Sequence, residues 1–106
     1  MAKYYVQSGP IRSVMDAQDM QGAALWAMHS VLGEISFIYE ERSQWTDQQR
    51  FDQVLMHAMI ELEPTVRVSE RGFDRNDSIV LETFDLAVQW HQLATALSDG
   101  SGLFDQ

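Results

Sequence analysis

Residues 3–15 read Lys3-Tyr4-Tyr5-Val6-Gln7-Ser8-Gly9-Pro10-Ile11-Arg12-Ser13-Val14-Met15, and this run decides the fold. Tyr4 and Val6 fall on one side of an extended chain, Tyr5 and Gln7 on the other. Ser8-Gly9-Pro10 is a turn signal. Ile11 to Met15 then reads as a returning strand, so residues 3–16 form a β-hairpin. The apolar period changes directly afterwards. Asp19 can cap a helix to about Leu32, with Met20, Ala23, Ala24, Ala27, Met28, Val31 and Leu32 on one stripe. Three alanines in that stripe allow close approach to a sheet, and Gly33 is placed to end the helix.

The same plan recurs later in the chain. Thr65 to Glu70 and Ile79 to Thr83 read as strands joined by the polar run Arg71 to Ser78. A helix follows from Thr83 or Asp85 to about Leu97, with Leu86, Trp90, Leu93, Ala94 and Leu97 as its core stripe. Residue identity between the two hairpin-helix units is slight, so the echo is architectural and not a repeat.

Between the units, Ile35, Phe37 and Tyr39 alternate as in a strand, although Ile35, Ile38 and Tyr39 also fit a helix. The β-branched and aromatic content favours a strand over Glu34 to Glu41. Glu41 to Thr46 reads as a loop. Thr46 and Gln49 form a capping-box pair, opening a helix to about Leu62 that Pro64 stops. Its stripe is Phe51, Val54, Leu55, Ala58, Met59 and Leu62. The order ββα-βα-ββα implies an α+β, two-layer domain: an antiparallel sheet of four or five strands with about three helices on one face. No linker divides the chain, so residues 1–106 form a single domain, with residues 99–106 expected as a frayed tail.

Composition restricts function more than it identifies it. The 106 residues are 45% hydrophobic and 22% charged, an ordinary globular balance. With no cysteine there is no disulfide, thiolate metal site or thiol catalysis. Residues 1–5 open an alternating segment and contain no apolar signal core, so the expected location is cytoplasmic. Seven bases stand against sixteen acids, for a net charge of −9. Such a chain repels nucleic-acid backbones and anionic lipid, so neither nucleic acid nor membrane is an expected partner.

Candidate chemistry is sparse. His57 and Glu61 are spaced i, i+4 and could share a metal, but no second histidine joins that face, and a surface ion pair explains them as well. Asp74, Asn76, Ser78, Glu82 and Asp85 overlay the oxygen positions of a calcium loop. Ile79 stands where that loop needs glycine, and the run turns into strand, so the helix–loop–helix reading is rejected and only weak surface calcium binding is left. Arg67, Arg71 and Arg75 around Gly72 could bind an anion, yet Glu70, Asp74 and Asp77 neutralise them locally. No phosphate loop or nucleophile elbow is present, so neither an enzyme activity nor a cofactor is implied.

Apolar residues off the core stripes say more. Trp26 lies opposite the first helix's stripe, Met56 and Ile60 opposite the second's, and Phe84 and Val88 off the third's, on the side of His91. Phe73 stands in a polar loop, as a local plug or an exposed contact. Flank packing between helices accounts for some of this surface. The remainder points to an interaction or regulatory module that binds another protein or a second copy of itself. The competing expectation is a small-ligand, anion or metal site near His57 and Glu61 or the Arg67–Arg75 loop.

Overall fold

β1 (Ala2–Ser8) and β2 (Ile11–Ala17) pair antiparallel, with Tyr4 opposite Met15 and Val6 opposite Ser13. Gly9 at φ +56° and Pro10 make the two-residue connection, where a tight hairpin requires positive φ at its first central residue. The computed structural model describes residues 2–40 and 44–99. The remaining elements are α1 (Met20–Leu32), a 3₁₀ helix (Gly33–Tyr39), α2 (Asp47–Glu61), β3 (Thr65–Ser69), β4 (Ile79–Glu82) and α3 (Thr83–Asp99). The tail expected at residues 99–106 lies outside the described residues beyond Asp99, as does the first half of the loop expected at 41–46.

The four strands form one antiparallel sheet in the order β2-β1-β3-β4. The junction at Glu63 and Pro64 accounts for β3 lying beside β1. The buried Ser8 hydroxyl donates to the Thr65 carbonyl (2.7 Å) and accepts from the Glu63 amide (3.0 Å). The Glu63 carboxylate accepts from the Gly9 amide at 2.9 Å. On the other side, Thr83 donates its amide to the Pro64 carbonyl (2.9 Å) and its hydroxyl to the Glu63 carbonyl (2.5 Å). The hairpin turn and the start of α3 are thus clasped to the same short segment, residues 63–65, and share Glu63.

α1 begins as its sequence requires: the Asp19 carboxylate accepts from the Gly22 amide at 2.7 Å. Ala23, Ala24, Ala27, Met28, Val31 and Leu32 are buried, and α1 packs on β1, β2 and β3. Tyr4, Val6, Val66 and Val68 meet them from the inner sheet face. Each such side chain contributes about 1.5–3 kcal/mol through burial. α2 carries the complete Thr46/Gln49 capping box and packs against α3, α1 and the 3₁₀ helix. No helix among the described residues is long and apolar enough to cross a membrane.

α1 ends at Leu32 with Gly33 as its C-cap, as expected, and Gly33 at φ −57° leads directly into the 3₁₀ helix. Two expectations are corrected. Residues 34–39 are not a strand. The alternation would bury Phe37, whereas Phe37 is 55% exposed and Ile38 is 1% exposed, the helical pattern of the segment. Second, Met59 and Leu93 are half exposed despite lying on predicted core stripes. On α3 the buried face runs through Thr83, Leu86, Ala87, Trp90 and His91, because α2 covers the flank that carries His91.

Candidate functional site

The largest unpartnered apolar surface on α2 lies on its second half. Met56 (53%), Met59 (45%) and Ile60 (73%) are exposed, and their i, i+3, i+4 spacing makes one contiguous strip. Val54 and Ala58 are fully buried on the opposite side, so the strip results from α2 being apolar on both faces. Met56 and Ile60 were legible as off-stripe residues. Met59 was missed because its 3.6-residue position sits at the boundary between the two faces.

Trp26 is 63% exposed and packs its ring edge-on against His29, 5.9 Å between centroids. His29 Nδ1 accepts from the Trp90 indole at 3.3 Å. From there a run of rings crosses the helical layer: Trp90, Tyr39, His91, Phe51 and Phe84, with successive centroids 5.2–6.4 Å apart. Phe84, 50% exposed, ends this run against Phe51, and Val88 is half-buried. Both belong to the flank that α2 partly covers, so helix packing accounts for much of their apolar character.

Within that run sits a polar relay, buried at Tyr39 and His91 and open to solvent at Asp47, that the sequence did not announce. The Tyr39 hydroxyl lies 2.5 Å from His91 Nδ1, and His91 Nε2 lies 3.1 Å from the Asp47 carboxylate. Burial pushes the Tyr39 phenol above its ordinary value of 10.0, opposed by Arg50. The phenol therefore stays protonated and donates to Nδ1, which puts the imidazole proton on Nε2, facing Asp47. The three residues lie on the 3₁₀ helix, α3 and α2, and the relay ties those elements together. No spacing rule links residues 52 and 44 positions apart, and the strand expected at 34–41 hid Tyr39's inward orientation.

The Arg67–Arg75 loop folds back over the outer face of the sheet. Phe73 packs edge-on against Tyr5 at 5.3 Å, with the Arg12 guanidinium 4.4 Å from its ring centre. Phe73 is thus a local plug and leaves the interaction surface. Asp74, in the left-handed region at φ +58°, accepts from Gln7 and Arg12 and donates its amide to Gln7. Arg71 and Arg75 both reach Asp77, while Arg67 donates to the Arg75 carbonyl at 3.1 Å. The depression lined by residues 71–77 is open, and its guanidinium groups are engaged by the loop itself.

Hydrogen bonds from Gln7 and Arg12 hold the Asp74 carboxyl below its ordinary 3.8, and a bond from Arg75 does the same for Asp77. A carboxylate lowered on folding stabilises the folded loop above the ordinary value and loses that contribution as pH falls through the lowered one. The Phe73–Tyr5 ring contact is expected to persist at mildly acidic pH and open only below 3.8. Proton NMR cross-peaks between the two rings check this; their loss at mildly acidic pH would separate the loop from its carboxylates.

His57 does not meet Glu61. Its Nε2 faces the Glu34 carboxylate at 3.7 Å and has no hydrogen-bond partner among the described residues. No group of three or more metal-ligating side chains occurs among the described residues. Asp74, Asn76 and Ser78 lie in the loop, while Glu82 is in β4 and Asp85 in α3, so they do not share one calcium loop. Compared with known proteins, the chain matches no family model, no curated protein and no solved structure.

Proposed function

We propose that this chain is a small acidic protein-interaction module that engages its partner through the helical layer. The observation that carries this reading is the contiguous strip of Met56, Met59 and Ile60 on α2. Single exposed apolar residues are normal, but three on adjacent turns, with Trp26 and Phe37 also exposed on the helical side, exceed that pattern. Methionine adapts its shape to a partner, and aromatic residues and methionine are enriched where partners meet. The ligand or anion alternative has less support, since the loop arginines serve the loop's own acids and carbonyls. A cytoplasmic, regulatory setting and a partner that is another protein or a second copy belong to the same reading.

The double variant Met56→Asp/Ile60→Asp tests it. The variant is expected to keep its helical circular dichroism and to lose no more than about 0.5 kcal/mol of stability, as for ordinary surface positions. Association, read by native mass spectrometry of the untagged protein alone and in a purified partner mixture, is expected to fall. If the variant unfolds, these residues are core and the reading fails.

A further inference from the structure

We infer that the α2 strip receives a basic amphipathic segment of another protein; this inference rests on the interaction-module reading above. The first observation is the local charge pattern. From Gln53 to Ile60 the helix carries no Asp, Glu, Lys or Arg. Asp52 lies one turn before Met56, and Glu61 and Glu63 follow Ile60, all three exposed. The strip therefore has an apolar middle and acidic ends. It also occupies the C-terminal half of α2, whose last turn contains no base, so the negative end of the helix dipole adds to the acids.

The second observation is how charge divides between the two layers. Lys3, Arg12, Arg67, Arg71 and Arg75 all lie in the sheet or its loop, alongside a similar number of acids. The helical layer carries Asp19, Glu34, Asp47, Asp52, Glu61 and Asp85, and among the described residues its one base is Arg50. Arg50 turns inward, donating to the Ile38 carbonyl at 2.8 Å and lying over the Tyr39 ring. A cationic partner approaching α2 thus meets acids and apolar surface. Steering of this kind raises association rates and weakens with salt.

A second copy fits less well. A symmetric self-contact on this strip would bring the flanking acids of both copies together, between molecules that each carry −9. A helix with apolar residues at i, i+3 and i+4 and Lys or Arg at its edges matches both the apolar middle and the acidic ends.

The test uses the whole protein and a dye-labelled model peptide of leucine and lysine in amphipathic helical order. Its leucine–glutamate counterpart and a scrambled leucine–lysine peptide serve as controls, and binding is read by fluorescence anisotropy. The ordered leucine–lysine peptide is expected to bind at least about tenfold more tightly than either control, and less tightly as salt rises. Met56→Asp/Ile60→Asp is expected to weaken it by at least about tenfold. Asp52→Lys/Glu61→Lys, which changes only exposed positions, is expected to shift preference toward the glutamate peptide. Equal binding of the scrambled peptide, or undiminished binding by the Met56/Ile60 variant, would overturn the inference by reducing it to unspecific attraction. Self-association that depends on Met56 and Ile60, with no peptide competition, would overturn the partner's chemistry while leaving the interaction reading standing. If those substitutions alter neither self-association nor peptide binding, the interaction reading fails as well.

Discussion

A His91→Ala variant is expected to lose about 3–4 kcal/mol of folding stability, a large fraction of what a domain of this size possesses. Two effects add. The imidazole is 7% exposed and packs against Tyr39 at 5.6 Å and Phe51 at 5.2 Å, so its removal leaves a void. It also withdraws the acceptor that His91 supplies to the Tyr39 hydroxyl and breaks the link to Asp47. Tyr39→Phe keeps the ring packing and removes only the hydroxyl, so about 1–2 kcal/mol is expected. Urea denaturation of both single variants and the double variant gives the coupling, expected at about 1–2 kcal/mol for groups in direct contact. A loss below about 1 kcal/mol for His91→Ala would mean that the relay does not hold the helices together.

Leu32→Ala is expected to cost about 2–5 kcal/mol. Leu32 is fully buried where α1 passes into the 3₁₀ helix, and the chain continues without a turn that could close over a cavity. Leu93→Ala, also a leucine on a sequence-derived core stripe, is expected to change stability by less than about 1 kcal/mol, because Leu93 is 49% exposed. Thermal unfolding of the two variants side by side reads the difference. Equal losses would place Leu93 in the core and contradict the α3 face described above.

Much of this was legible before any tertiary structure. The Gly9-Pro10 turn, the α1 stripe and the Thr46/Gln49 cap are local signals: each needs only residues within one or two turns of one another. The candidate strip was half legible. Met56 and Ile60 stand out because helical period alone places them opposite Val54 and Ala58. Met59 and Leu93 do not, because whether a boundary position is covered depends on which neighbouring helix lies beside it. Residues 34–39 were misread for a related reason. Their alternation satisfies a strand, but the segment packs among α1, α2 and α3, which buries the adjacent Ile38 and Tyr39 together and leaves Phe37 outside.

The sequence by itself determined the α+β class, the two hairpin-helix units, the absence of thiol chemistry and the net charge of −9, since all of these follow from local period and composition. The tertiary structure decided the strand order, through the clasp of Ser8, Gly9 and Thr83 on Glu63, Pro64 and Thr65. It also decided the Tyr39–His91–Asp47 relay, the plugging of Phe73 against Tyr5 and the division of charge between layers. These arise from residues far apart in the chain, and the pairing of distant groups is fixed by how the layers pack, which no local pattern encodes.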